Sequence, residues 1–125
     1  MKAIKAFMAI AIMLIIVSVA NAQDAKANLR NFGPKPKTES FTVYGECEMC
    51  KHRIENALKV DGIKSANWQE DSKILTVQYI LTADITGLDK IEQLVAAAGH
   101  DAERYKAEDA IYQKLSPCCH YERKK

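Results

Sequence analysis

The amino-acid sequence predicts an α+β domain whose elements follow in the order βαββαβ. Apolar residues alternate along 41–44 and again along 74–80, as in half-buried strands. They recur at helical spacing in two further segments, one after Cys50 and one from Leu88. The mature chain has about 100 residues, which suffice for one small domain with a single core.

The first part of the pattern is a strand followed by a helix. Order is expected to begin near Thr38, and the inward face of the first strand carries Phe41, Val43 and Gly45. A helical pattern then opens at Lys51, and its apolar stripe consists of Ile54, Ala57 and Leu58. Asp61-Gly62 ends this helix, because glycine readily takes the left-handed conformation found after helix ends.

The remaining elements are a hairpin, a second helix and a last strand. The hairpin joins 63–69 to 74–80 through the tight turn 70–73. After a loop at 82–86, apolar residues from Leu88 line a helix that stops at Gly99, and 102–106 is predicted to be the last strand. This order predicts the ferredoxin-like sandwich, a four-stranded antiparallel sheet with the first strand central and two helices on one face.

Residues 1–22 have the pattern of a signal peptide. Lys2 and Lys5 precede an apolar run at 6–19 that is interrupted only by Ser18, and Ala20-Asn21-Ala22 forms a cleavage site. The alternative is a membrane anchor, but a span needs about 20 apolar residues. We therefore expect an exported, periplasmic protein without stable membrane insertion after cleavage. Residues 23–37 are predicted to be a flexible linker, since they are polar and contain Gly33, Pro34 and Pro36.

Cleavage would leave as many basic as acidic side chains, because the first 22 residues hold two lysines and no acid. No basic excess then remains to attract nucleic acid or an acidic membrane surface. Four cysteines in an exported chain would ordinarily indicate structural disulfides. Their spacing argues otherwise, since one C-x-x-C and one adjacent pair do not close long loops.

Cys47 and Cys50 form the C-x-x-C pair where the first strand gives way to the helix. The unpaired N–H groups at a helix N-terminus lower a thiol pKa and favour the thiolate. A thiolate serves either as a ligand for soft metals or as a redox nucleophile, and the sequence leaves both roles open. The predicted topology brings Gly99-His100 to the same end of the sheet, so His100 is a candidate third ligand or a group that adjusts the thiolate pKa.

The C-terminal tail, 108–125, contains a second pair of thiols, Cys118 and Cys119. A short helix is predicted at 109–115, and the chain after Lys106 is long enough to return across a small domain. We hypothesise that these cysteines form an auxiliary thiol site, sharing one metal with Cys47 and Cys50 or receiving an ion in relay. The alternative is a disordered end.

The run Val43-Tyr44-Gly45-Glu46-Cys47-Glu48-Met49-Cys50, with Ala98-Gly99-His100-Asp101-Ala102-Glu103 after the second helix, resembles the heavy-metal-associated domain family. The resemblance covers about 38–107 and implies that Cys47 and Cys50 hold a soft ion. Gly45 stands where the family usually has methionine, which predicts a more mobile loop. His100 stands where the family often has tyrosine, lysine or phenylalanine.

The leading interpretation is a non-enzymatic metallochaperone, carrier or scavenger that transfers its ion by ligand exchange to a metal transporter or another metal-binding domain. Cu(I) is the first expectation, and Hg(II), Zn(II) and Cd(II) are alternatives, since all accept thiolate. The competing interpretations are a thiol–disulfide oxidoreductase that uses the same cysteines, an ordinary disulfide, and an interaction module. Met49 is expected to be an exposed or packing residue, and His52 a solvated one.

Overall fold

The computed structural model describes residues 33–123 and 125. The predicted signal peptide and the linker up to residue 32 lie outside the described residues. The described elements, in chain order, are β1 (Lys37–Thr42), α1 (Glu48–Ala57), β2 (Ile63–Trp68), β3 (Ile74–Tyr79), α2 (Leu88–Ala97), α3 (Asp109–Gln113) and a 3₁₀ helix (Pro117–Cys119). Within this part of the chain, no helix combines the length and apolar character needed to cross a membrane.

The sheet is antiparallel and has three strands in the order β1-β3-β2. Phe41 of β1 lies opposite Leu75 of β3, and Ala66 of β2 lies opposite Val77 on the other side. Because alternate residues of a strand face the same way, β3 buries Leu75, Val77 and Tyr79 against the helices. The predicted hairpin of β2 and β3 is therefore confirmed.

The predicted fourth strand at 102–106 is reduced to a single bridge between Val43 and Ala102. Two hydrogen bonds explain the difference. The Glu103 carboxylate accepts the Thr42 N–H at 3.3 Å, and the Ala102 N–H donates to the Tyr105 carbonyl at 2.8 Å. The segment thus turns back on itself instead of extending along β1. The described sheet has three strands rather than four, and β1 is an edge strand rather than a central one.

Helix α1 begins earlier than the sequence pattern indicates. It starts at Glu48 with Cys47 as its N-cap residue, so that Cys50 lies in the first helical turn and not before the helix. The helix ends at Ala57, well before Gly62, which has a φ of +96° in the following turn. The second helix, α2, is followed by Gly99 at φ +101°, the left-handed conformation that the sequence predicts there.

The core lies between the sheet and the two long helices. Ile54 and Leu58, from α1 and its C-cap, and Ile91 and Val95 of α2 are fully or almost fully buried. The same apolar cluster includes tail residues, namely Leu115, Cys119 and Tyr121. Part of the tail is therefore packed into the domain, which brings its cysteines to the end of the sheet where α1 begins.

Candidate metal centre

Cys47 and Cys50 bracket the start of α1. The N–H of Cys50 donates to the carbonyl of Cys47 at 2.9 Å, which closes the first turn and places the two sulfurs 3.6 Å apart. The Glu46 N–H points at the Cys50 sulfur at 3.4 Å. Cys50 is fully buried while Cys47 is partly exposed, so one thiol is anchored and the other is reachable from solvent.

Trp68, at the end of β2, packs beneath this loop. Its indole N–H donates to the Val43 carbonyl at 3.0 Å, and its side chain is almost fully buried. A Cβ at Gly45 would lie 3.1 Å from the indole ring and 3.0 Å from the Cys50 Cβ. The loop that carries the cysteines is thus packed closely against Trp68, in a place where only glycine fits without displacement.

The tail brings two more sulfurs to the same place. Cys118 Sγ lies 2.9 Å from Cys47 Sγ, and Cys119 Sγ lies 3.6 Å from it. The sulfurs of Cys47, Cys50 and Cys119 all lie within 4.8 Å of one another. Cys118 is exposed, Cys119 is buried, and all four thiols are free. The chain therefore returns from the end of the domain to the C-x-x-C pair, as the hypothesis of an auxiliary thiol site requires.

The thiols differ in their tendency to ionise. Burial acts to raise the pKa of Cys47, but hydrogen bonds with the Cys118 thiol and the Cys50 N–H outweigh it and lower the pKa to about 7. Hydrogen bonding with Cys47 raises the pKa of Cys118, and burial raises the pKa of Cys119. Near neutral pH the first negative charge of the cluster therefore resides on Cys47, with the tail thiols protonated.

His100 lies at the predicted end of the sheet, and its Nε2 is buried without a hydrogen-bond partner among the described residues. Its Nδ1 donates to the Tyr44 carbonyl at 2.8 Å, and its ring stacks on Tyr121 with centroids 5.6 Å apart. Burial lowers the pKa of His100, which leaves the ring neutral near pH 7. The clustered ligand atoms found among the described residues are the sulfurs of Cys47, Cys50 and Cys119, and a ligand role for His100 stays a prediction.

Two side chains near the pair lie where the sequence predicts. Met49 is 53% exposed, with its sulfur 3.5 Å from that of Cys118. His52 lies on the exposed surface of α1, 3.8 Å from the Glu48 carboxylate. By contrast, Trp68 was not identified from the sequence, since a buried aromatic residue at a strand end gives no local signal of its neighbours.

The arrangement defines a class of site: free thiols grouped at the N-terminus of a helix in a small α+β domain, with soft-metal ligands and no hard-oxygen ligand among them. Residues 45–101 match the heavy-metal-associated domain family. This stretch of the chain is therefore similar to a heavy-metal-associated domain. The domain and its cysteine group together indicate metal binding of the metallochaperone kind, and such domains are generally metal-binding modules rather than enzymes.

Several solved structures are similar to this chain. The putative copper-ion-binding protein from Bacillus anthracis str. Ames is 19% identical to this chain, with a TM-score of 0.50. The match covers 57% of this chain and 100% of that one. A CopZ metallochaperone is 26% identical with a TM-score of 0.47, covering 53% of this chain and 98% of that one.

Oxidized MerP from Ralstonia metallidurans CH34 is 21% identical with a TM-score of 0.48, covering 54% and 94% of the two chains. No curated protein sequence matches the chain. The first of these structures supports the ferredoxin-like fold, while the identity of the ion must be argued from the site itself.

Proposed function

We propose that the mature protein is an exported carrier or scavenger of a soft metal ion, with Cys47 and Cys50 as its ligands. The observation that carries the proposal is the pairing of a buried thiol with a partly exposed one 3.6 Å away, at a helix N-terminus where Cys47 ionises near neutral pH. Soft thiolates select Cu(I), Hg(II), Zn(II) and Cd(II) over hard cations. Cu(I) is the proposed ion, because few thiolates satisfy it, whereas structural zinc takes four ligands.

Capture and release proceed by ligand exchange. The Cys47 thiolate, which is reachable from solvent, binds an ion delivered by a donor thiolate, and the Cys50 thiol then loses its proton as it joins the ion. Release reverses these steps toward an acceptor thiolate, and the returning protons go back to the two cysteines. The protein makes and breaks only metal–sulfur bonds, so the proposed role requires no catalysis.

The proposed place of action is outside the cytoplasm, and the support is the signal-peptide pattern of residues 1–22. The proposed partner is a metal transporter or another metal-binding domain. Heavy-metal-associated domains bind metal ions and interact with metal-transporting P-type ATPases. A partner of this class would bring its own thiolates to the exposed side of Cys47.

An anaerobic titration of the reduced mature chain tests this function. A carrier takes up about one Cu(I) per chain, and the Cys47→Ser, Cys50→Ser double variant loses this uptake. His52→Ala is the matched control, because His52 is exposed on the same helix and its removal leaves uptake unchanged. If the chain instead turns over a disulfide substrate without retaining Cu(I), it is a thiol–disulfide oxidoreductase. If it does neither, the metal-binding proposal is wrong.

A further inference from the structure

We propose that Cys119 is a third thiolate ligand of the ion held by Cys47 and Cys50, and that Cys118 is the exposed thiol through which the ion is exchanged. This inference rests on the proposed function and specifies how the site works. The tail would then turn a two-thiolate transfer site into a closed, three-thiolate site within one chain. The expected consequence is that the metal ion is held tightly and is released only when a competing thiolate displaces the tail ligand.

The distances between the sulfurs fit this coordination. With metal–sulfur bonds of about 2.3 Å, the sulfurs of a trigonal site lie about 4.0 Å apart and those of a tetrahedral site about 3.8 Å apart. Cys47 Sγ is 3.6 Å from both Cys50 Sγ and Cys119 Sγ, and the third distance is within 4.8 Å. Movements of a few tenths of an ångström would place one ion between the three sulfurs.

Cys118 is less suited to the same ion. Its sulfur lies only 2.9 Å from that of Cys47, closer than two sulfurs bound to one metal, and it is 4.0 Å from Cys119 Sγ. Because Cys118 is exposed, its side chain can move outward without disturbing the core. It is therefore placed to meet an incoming ion or an acceptor thiolate first, beside the reachable Cys47.

The tail is held in this position by Tyr121, two residues after Cys119. Its hydroxyl accepts the Asp101 N–H at 2.8 Å and donates to the Gly99 carbonyl at 3.0 Å. Its ring is buried and stacks on His100, with 5.6 Å between the centroids. His100 therefore forms part of the surface on which the tail rests.

Arg123 fixes the tail at a second point. Its guanidinium donates to both carboxylate oxygens of Asp101, at 3.0 Å from Nε and 2.7 Å from Nη2. Asp101 is itself 3% exposed, and its carboxylate also accepts the Ala107 N–H at 2.7 Å. A bidentate pair of this kind, with a buried carboxylate, has a defined geometry and is stronger than an exposed ion pair.

Between the domain and these anchors, the chain is shaped to present Cys119. Leu115 is buried over Gly99, where a Cβ would come within 2.9 Å of its side chain. The 3₁₀ helix then begins at Pro117, and the Cys119 N–H donates to the Ser116 carbonyl at 2.8 Å. Cys119 is consequently directed inward at 1% exposure, while its neighbour Cys118 is directed outward.

The reaction balances as an exchange of protons for a metal ion. One Cu(I) binds three thiolates, and up to three protons leave the sulfurs of Cys47, Cys50 and Cys119. Arg53 lines the same cleft as Cys119 and provides a positive charge beside the anionic centre. During release, acceptor thiolates form bonds to the ion as its bonds to Cys119, Cys50 and Cys47 break in turn, and each freed sulfur recovers a proton.

X-ray absorption of the Cu(I)-loaded full mature chain tests the proposal by counting sulfur ligands. We expect three sulfurs in the wild type and in Cys118→Ser, and two in Cys119→Ser. Arg123→Ala retains all four cysteines but weakens the tail anchor, so its count should fall toward two. Glu122→Gln, an exposed neighbour, is the matched control and should keep three.

The rate of transfer to a competing thiol chelator is the second readout. Cys119→Ser and Arg123→Ala should both release Cu(I) at least tenfold faster than the wild type. Two sulfurs in the wild type, or an unchanged count in Cys119→Ser, overturns the proposal and leaves the Cys47 and Cys50 carrier intact. A count that falls in Cys118→Ser instead overturns the assignment of the two tail thiols. A wild-type chain that binds no Cu(I) overturns the proposed function itself.

Discussion

Removal of the Tyr121 hydroxyl, in Tyr121→Phe, is expected to destabilise the folded domain through two buried backbone groups. The hydroxyl accepts the Asp101 N–H at 2.8 Å and donates to the Gly99 carbonyl at 3.0 Å, and both contacts are buried. Each buried group that loses its partner costs about 1–3 kcal/mol. Because the ring and its stacking on His100 remain, we expect a loss of about 2–3 kcal/mol in the free energy of unfolding.

Urea denaturation of the metal-free, reduced chain measures this loss. For a small domain with an m-value of about 1–2 kcal/mol per molar urea, the midpoint should fall by about 1–3 M. Tyr112→Phe is the matched control, since its hydroxyl makes one partly buried contact, to the Tyr121 carbonyl at 2.7 Å. Its expected cost is about 1 kcal/mol. A Tyr121→Phe midpoint equal to that of the wild type would refute the account of the tail as a packed part of the domain.

Three further predictions follow from the same contacts. Gly45→Ala should destabilise the domain by about 1–3 kcal/mol in urea denaturation, because its Cβ overpacks the cysteine loop, whereas Gly33→Ala, with open space around it, should change little. Alkylation of the reduced metal-free chain should show the rate at Cys47 rising with pH through an apparent pKa of about 7. A rate that rises only at higher pH, near the ordinary thiol pKa, would contradict the hydrogen bonding described for Cys47. Burial acts to raise the pKa of Asp101, but hydrogen bonds with Arg123 and a backbone N–H lower it. The ionised Asp101 carboxylate therefore stabilises the fold fully above the ordinary aspartate pKa of about 4, and this stabilisation is lost as pH falls through the lower pKa of Asp101 in the folded protein. Urea midpoints measured in acid should consequently drop less in Asp101→Asn than in the wild type.

The sequence predicted the parts of the fold that depend on local pattern. Alternating apolar residues located β2 and β3, and helical spacing located α1 and α2 to within a few residues. The prediction of a last strand at 102–106 was wrong, because hydrogen-bonding groups from other parts of the chain compete for pairing with β1. The Glu103 carboxylate accepts a hydrogen bond from the Thr42 N–H of β1. The backbone N–H of Arg104 donates to the Glu92 carboxylate at 2.8 Å. Such competition has no signature in the periodicity of 102–106.

The candidate site divides in the same way. The C-x-x-C motif and its place at a helix start were evident from spacing alone, and topology placed His100 at the correct end of the sheet. The direction of the His100 ring was not predictable, since it is set by the Tyr44 carbonyl and by Tyr121, which is distant in the sequence. The length of the tail showed that Cys119 could approach the C-x-x-C pair. The contacts of Tyr121 and Arg123 that hold the tail there form only on folding, so the sequence did not predict them.

Retention of Cu(I) against a competing chelator tests the central claim most directly. The reduced mature chain, loaded anaerobically with one equivalent of Cu(I), is dialysed against a modest excess of a chromogenic Cu(I) chelator. The wild type is predicted to keep its ion, and the Cys47→Ser, Cys50→Ser double variant to surrender it completely. Equal and complete loss from both proteins would contradict the claim that these thiols form a soft-metal site.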